Sequence, residues 1–409
     1  MVPVRFVSAV LLTVVGSAAG APDGSQADPQ DIQSCEIRFL EPPDERGAVV
    51  SWLWESGLVF YDFDSSVSST NRTRVRNAMN TMEAAAGVHF IPRTTESSYL
   101  HIGAFGGNWS YVGQIGGGQD LSIYNWGEHF IICHELIHAM GRYHQHSRTD
   151  RNTYITVNWG NIQSDCQSQY DLANGSSNFG EYDFDSLMHY GQWDCSTGGP
   201  TMTCMPGYEG WQNSMGQRTH LSVGDIETVE VMYPFLLPDT TVMYANLGST
   251  ELQAGETTSL FSVIKNIGDG AGIGLNMRMR ISPDPEVTTD DLLFFAEYEG
   301  YIHADDFYYL NTTVTIPEGI ADGTWYLGLS ATVADDTNTD NDLLVVEIQV
   351  GDLEPCSGDI NGDGVVNVDD ILATIGAWGP CDGCPEDTDG DGVVGVDDVL
   401  AVLSAWGPC

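Results

Sequence analysis

The string HELIHAMGRYH at 134–144, followed by SLMHY at 186–190, limits what this chain can become more than any other feature. His134 and His138 lie four residues apart, which on a helix puts both side chains on one face. Gly141 suits a helix end in a left-handed conformation, letting the chain reverse so that His144 arrives from outside the helix. Three imidazoles then converge on one metal ion. Neutral imidazole suits Zn²⁺, and three such ligands leave a coordination position open, the pattern of a catalytic site rather than a structural one. Glu135, beside the first ligand, points away from the histidine face, where it serves as a general base rather than a ligand. Met188 in a tight turn supplies an apolar floor beneath the imidazoles. Tyr190 brings a phenol within reach of the metal or of a developing oxyanion.

Taken together, HELIHAMGRYHQHSRTDR (134–151) and YDFDSLMHY (182–190) resemble the astacin family of zinc endopeptidases, a branch of the metzincins. FIPRTTESSYLHI (90–102) and NWSYVGQIGG (108–117) carry more of the same pattern. The likeness runs from about Leu53 to Pro234. It implies an α+β metzincin catalytic domain that cleaves peptide bonds in protein or peptide substrates. It also implies one catalytic Zn²⁺ held by His134, His138, His144 and Tyr190, with Glu135 as general base and Met188 as the Met-turn. In relatives the tyrosine leaves the metal when substrate binds and steadies the transition state, a role that falls on Tyr190.

The chain departs from the family pattern in several places. Relatives usually carry Glu after the third histidine, where it binds the buried N-terminus of the mature enzyme. Here it is Gln145, which has no charge to pair with an ammonium. Asn108 and Gly87 occupy places where relatives carry disulfide cysteines, so the usual bridges are not expected. Among Cys166, Cys195 and Cys204, a loop closed between Cys195 and Cys204 is one pairing open to them. Cys133, next to the first ligand, reads as a small apolar residue packed in the helix.

The N-terminus carries one positive charge, the apolar run FVSAVLLTVVG and then small residues, the pattern of a secretory signal peptide over 1–19. A secreted, extracellular or cell-surface protein is the expectation. Residues 20–46, rich in Asp, Pro, Gln and Ser, read as a disordered leader or short propeptide, with Cys35 inside it. No other segment reaches the roughly 18 apolar residues that span a membrane. The 9 cysteines fit an oxidising compartment, and the odd count leaves at least one thiol unpaired. A net charge of −44 argues against nucleic acid and anionic membrane surfaces as partners. It points instead to bound calcium or to a salty medium that screens the repulsion.

The catalytic domain is expected over 47–235, with a helix at Thr70–Ala86 and a buried helix from about Glu128 carrying the histidines. From 236 to 352 the texture changes. Leu275, Met277, Met279 and Ile281 alternate with polar residues, as do Trp325, Leu327 and Leu329, which indicates an all-β, antiparallel sandwich. This segment resembles the CARDB-type immunoglobulin-like modules.

The tail, 353–409, is a duplication: DINGDGVVNVDD (359–370) recurs as DTDGDGVVGVDD (387–398), each followed by an apolar helix ending in AWGPC. Oxygen-bearing residues at loop positions 1, 3, 5 and 12 with glycine at 6 form a Ca²⁺ cage. The first set is Asp359, Asn361, Asp363 and Asp370, with the Val365 backbone carbonyl. The second is Asp387, Asp389, Asp391 and Asp398, with the Val393 carbonyl. Two Ca²⁺ ions are therefore expected. The segment resembles a small α-helical type I dockerin with EF-hand-like loops, which implies docking onto a cohesin-like or cell-surface receptor. Cys356, Cys381, Cys384 and Cys409 frame the repeats; pairing within each unit (356–381, 384–409) and the set 356–409 with 381–384 are both open. The opposing reading of the whole chain is an adhesion or scaffold protein whose protease domain is inactive.

Overall fold

The computed structural model describes residues 36–38, 53–351 and 358–408. The expected signal peptide, Cys35, Cys356, Cys409 and most of the leader lie outside the described residues. One part of the leader departs from the expectation of disorder: Glu36–Arg38 is a β-strand, β1.

The N-terminal layer is a six-stranded mixed sheet made of β1, β2 (Leu58–Phe63), β3 (His89–Pro92), β4 (Tyr99–Gly103), β5 (Trp109–Tyr111) and β6 (Gly118–Ser122), in the order β1-β5-β6-β4-β2-β3. The pairs β6–β4, β4–β2 and β2–β3 are parallel, whereas β5 runs antiparallel to β6. Helix α1 (Ser69–Glu83) buries Val75, Ala78, Met79 and Met82, and Ser68 caps it by accepting the Asn71 N–H at 3.3 Å. It stops short of the expected Ala86. Gly87 lies so close to the backbone at Pro234 that an added Cβ would sit 2.2 Å from the Pro234 carbonyl oxygen. The requirement at 87 is therefore close backbone approach, which no other residue permits.

Helix α2 (His129–Ala139) packs against α1, and its residues from Ile131 to Ala139 are all buried. Cys133 faces the Val75–Met79–Leu136 core, where burial pushes its thiol up to about 12 and keeps it protonated. Beyond α2 the chain is mostly loops and short turns. A small two-stranded antiparallel ladder of β7 (Ile155–Val157) and β8 (Met202–Cys204) interrupts them, and α3 (Val223–Met232) closes the segment. The disulfide in this region is Cys166–Cys195, with Cα atoms 6.1 Å apart, not Cys195–Cys204; Cys204 is a buried free thiol.

A separate core belongs to the sandwich. Its strands are β9 (Thr240–Leu247), β10 (Glu251–Leu252), β11 (Thr257–Asn266), β12 (Gly272–Ser282), β13 (Leu292–Ile302), β14 (Phe307–Thr315), β15 (Gly323–Thr332) and β16 (Leu343–Val350). They form one sheet of order β10-β16-β15-β12-β13 and another of order β14-β11-β9. Leu275, Met277, Met279 and Ile281 are buried as the alternation predicts. The one departure from antiparallel pairing is the short edge strand β10, parallel to β16. Tyr301 of β13 reaches the N-terminal sheet, packing on Phe60 at 5.0 Å between ring centroids and donating to Glu96 at 3.1 Å.

In the tail, α4 (Val368–Gly376) and α5 (Val396–Ser404) pack together. The strands β17 (Val365–Val366) and β19 (Val393–Val394) each pair with the other repeat's terminal segment, β20 (Gly407–Pro408) and β18 (Gly379–Pro380). This reciprocal pairing is why one repeat alone lacks a complete unit. Cys381 bonds Cys384, which excludes the within-repeat pairs 356–381 and 384–409.

Asp342 in the sandwich is 3% exposed and lies near Asp336 and Asp239. Burial, reinforced by those two carboxylates, raises its pKa to about 7. A carboxyl whose folded pKa exceeds its unfolded value favours folding while protonated, so stability declines as pH rises from about 4 through 7. Thermal unfolding of the full chain should show Asp342→Asn melting above wild type at pH 8, with the difference closing by pH 5. A constant difference across that range would contradict this.

Candidate metal centre and active site

Helix α2 ends where the sequence predicts, at a glycine of positive φ, 111° for Gly141. The carbonyls left over at a helix C-terminus need partners, and here remote residues supply them. The Trp54 indole donates to the Ala139 carbonyl at 2.9 Å, the Tyr233 hydroxyl to Met140 at 2.8 Å, and the Gly113 N–H to His138 at 2.8 Å. The last turn of the ligand-bearing helix is therefore fixed by three separate parts of the chain.

The turn brings the three predicted histidines together. Their Nε2 atoms are 3.1 Å (His134–His138), 3.2 Å (His134–His144) and 3.1 Å (His138–His144) apart. Ligands of a tetrahedral Zn²⁺ at the usual Zn–N length stand about 3.3 Å apart, so the triangle has the right size. Tautomers follow from the partners. His134 Nδ1 faces the Leu187 carbonyl at 2.9 Å and His138 Nδ1 faces the Arg142 carbonyl at 2.7 Å. A carbonyl only accepts, so both Nδ1 atoms carry the proton and both Nε2 atoms present lone pairs.

Burial, the largest influence, pushes the pKa of all three imidazoles down, that of His138 to about 3. The Nε2 lone pairs of His134 and His138, facing each other at 3.1 Å, cannot satisfy each other by hydrogen bonds. This donor set fits a divalent zinc ion.

Glu135 is fully buried on α2 next to His134. Tyr190 is fully buried too, its ring 4.4 Å from that of His144. Met188 lies in the same core as Leu136 and Ile137, and its carbonyl accepts the Gln145 N–H at 2.8 Å. The three elements expected from the sequence thus share one region.

Several residues of the site were not anticipated. His146 stacks on His144 at 5.0 Å and lies against Tyr190 at 4.3 Å, and its own Nε2 meets the Gln169 carbonyl at 3.1 Å. Arg218 donates to the carbonyls of Leu187 and His189, both at 3.0 Å, clamping the Met-turn. Arg142 and Asp225 form a buried ion pair at 2.5 Å. The HQH spacing at 144–146 was a signal for His146. Arg218 and Asp225 sit tens of residues away from the motifs, and no local pattern marks them.

An alanine at 141 meets both strain and crowding, with Leu53 Cδ2 at 3.0 Å and Met232 Cε at 3.1 Å from the added Cβ. Gly141→Ala should cost about 1–2 kcal/mol from the backbone conformation alone and weaken zinc binding as His144 shifts. Thermal melting paired with chelator competition checks both parts.

Residues 48–234 match the family model described as Astacin, a peptidase family. An astacin-like metalloendopeptidase of Coturnix japonica is 34% identical over 176 residues, 42% of this chain and 43% of that protein. The first curated relatives are matched over less than half of their own length. Among solved structures, high choriolytic enzyme 1, a hatching enzyme zinc-protease from Oryzias latipes, is 30% identical. That match covers 45% of this chain and 94% of that one, with a TM-score of 0.42. The CARDB domain of a Pyrococcus furiosus protein covers 28% of this chain at 15% identity, with a TM-score of 0.22. No helix among the described residues is long and apolar enough to cross a membrane.

Proposed function

We propose that the chain, whose residues 48–234 match the astacin peptidase family model, is a secreted zinc endopeptidase acting on protein substrates. The observation that carries this reading is the triangle of buried, neutral Nε2 atoms at 3.1–3.2 Å. His134, His138 and His144 would hold one Zn²⁺, with the Tyr190 phenol as a further ligand. Zinc bound there lowers the pKa of water toward neutrality and polarises the scissile carbonyl. Glu135 takes the proton from the attacking water and hands it to the leaving amine. Tyr190, held against His144, offers its hydroxyl to the oxyanion as charge develops. Met188 stays beneath the imidazoles as packing.

Casein hydrolysis should vanish with a zinc chelator and return on adding zinc. Glu135→Ala should cut kcat/KM by about 10²–10⁴ or more while zinc content stays unchanged. A wild type that holds zinc yet is as inert as Glu135→Ala would move the reading to an adhesion or scaffold protein.

The finer parts of the reading concern export and tethering. A signal peptide at 1–19 and a leader to 46 precede the protease domain at 47–235, the sandwich at 236–352 and the tail at 353–409. The Cys166–Cys195 and Cys381–Cys384 bridges accord with an oxidising compartment. In the tail, side-chain oxygens of Asp387, Asp389 and Asp391 lie within 4.8 Å of one another, an arrangement that suits Ca²⁺. Asp398 and the Val393 carbonyl would complete that site. Asp359, Asn361, Asp363, Val365 and Asp370 would form its counterpart.

The repeats also present matching exposed residues: Leu372 and Leu400, Ile375 and Leu403, Trp378 and Trp406. Such a doubled apolar face suits docking onto a cohesin-like receptor. Calcium titration of the full chain should perturb tryptophan fluorescence with two equivalents bound, and Asp363→Ala with Asp391→Ala should abolish the response. Absence of any response in wild type would remove the calcium assignment.

A further inference from the structure

Three histidines must be aimed at one point, and the groups that aim them converge on a single ion pair. Arg142 is 8% exposed and Asp225 fully buried. Arg142 Nη1 meets Asp225 Oδ1 at 2.5 Å, while Nη2 donates to Gln145 Oε1 at 3.1 Å and to Ser186 Oγ at 3.4 Å. Asp225 Oδ1 also accepts the Ser186 hydroxyl at 2.6 Å, and its Oδ2 accepts the N–H groups of Leu187 at 2.7 Å and Ser222 at 3.0 Å. We propose that the Arg142–Asp225 ion pair is the positioning element that orients His134, His138 and His144 together. The proposal rests on the zinc reading above and extends it to residues outside the ligand set.

Each histidine has its own connection to the pair. His138 Nδ1 donates to the carbonyl of Arg142 itself. His134 Nδ1 donates to the carbonyl of Leu187, whose N–H is held by Asp225. His144 is followed by Gln145, whose side chain accepts from Arg142 and whose N–H bonds the Met188 carbonyl. The pair therefore joins the turn after α2, the Met-turn and the first turn of α3.

The planar guanidinium suits this task because it donates in fixed directions to several acceptors at once, which an ammonium on a flexible stem does not. Arg218 also donates to the Leu187 carbonyl, at 3.0 Å, so that acceptor is shared between His134 and a second guanidinium. Groups that fix metal-binding histidines through their second nitrogen characteristically tune metal affinity.

The test uses the full chain with Arg142→Lys, Arg142→Met and the double variant Arg142→Met with Asp225→Asn. Zinc affinity is read by chelator competition, kcat and KM on a peptide substrate, and ligand geometry by the visible spectrum after cobalt substitution. Arg142→Met should bind zinc about 10–100-fold more weakly, lose kcat with KM little changed and show an altered cobalt spectrum. Arg142→Lys should fall between it and wild type.

The double variant leaves no buried charge unpaired, and the amide oxygen introduced at 225 can still accept the Leu187 and Ser222 N–H groups. It should therefore stay folded even if a single variant does not, and it should keep the zinc defect. A folded double variant with wild-type zinc affinity, kcat and cobalt spectrum overturns the positioning role alone. A wild type that binds no zinc overturns both this proposal and the zinc reading.

Discussion

Two backbone carbonyls, those of Leu187 and Arg142, decide the chemistry of this protein by accepting protons from His134 and His138. With those Nδ1 positions committed, the Nε2 lone pairs have nowhere to point but at each other. Burial then closes the usual escape, since protonating a ring in that environment is heavily disfavoured. The Nε2 lone pairs of His134 and His138, with the Nε2 of His144 about 3 Å from both, form an arrangement that a cation relieves, and the protein core holds it in place. The metal preference is thus written in hydrogen bonds one step removed from the ligands.

That arrangement explains how the surrounding fold is allocated. The core of α1, α2 and the sheet makes α2 a rigid platform, and the capping of its last carbonyls by Trp54, Tyr233 and Gly113 keeps the turn at Gly141 in place. Residues from 145 to 222 contain little regular structure, yet they carry Tyr190, Met188 and Arg218. They compensate with the disulfide, the two-stranded β7–β8 ladder and an aromatic cluster around Tyr170, Tyr182 and Phe184. The sandwich has its own core and touches the protease segment through Phe60, Tyr301 and Glu96. None of these contacts involves a histidine ligand, so the catalytic geometry is internal to the N-terminal part.

What the sequence revealed depended on whether the governing interaction was local. The His134–His138 spacing, the Gly141 turn and the period-two burial of Leu275 through Ile281 are consequences of helix and strand geometry, and all were legible. The end of α1 was not, because the close approach of Gly87 to Pro234 is set by residues far apart in the chain. Cysteine pairing failed for the same reason. The short Cys195–Cys204 loop was attractive by separation alone, but β8 carries Cys204 away while the turn at 195–196 returns to the Ile162–Cys166 segment. Arg142, Arg218 and Asp225 were missed because isolated charged residues carry no periodicity. Their importance appears only once the Met-turn lies between them.

Gln145 and Arg142 make best sense as a pair. Read alone, Gln145 looks like a loss, since an amide cannot anchor an ammonium as the glutamate usual in relatives does. Beside Arg142 it is the acceptor that the charge balance calls for. The guanidinium already neutralises the buried Asp225, and a second carboxylate at 145 would place two negative groups on one positive group in a desolvated pocket. Uncompensated buried charge is costly, whereas a neutral amide oxygen accepts the same hydrogen bond at 3.1 Å without adding charge. Gln145 thus accepts from Arg142 without adding charge to the buried Arg142–Asp225 pair.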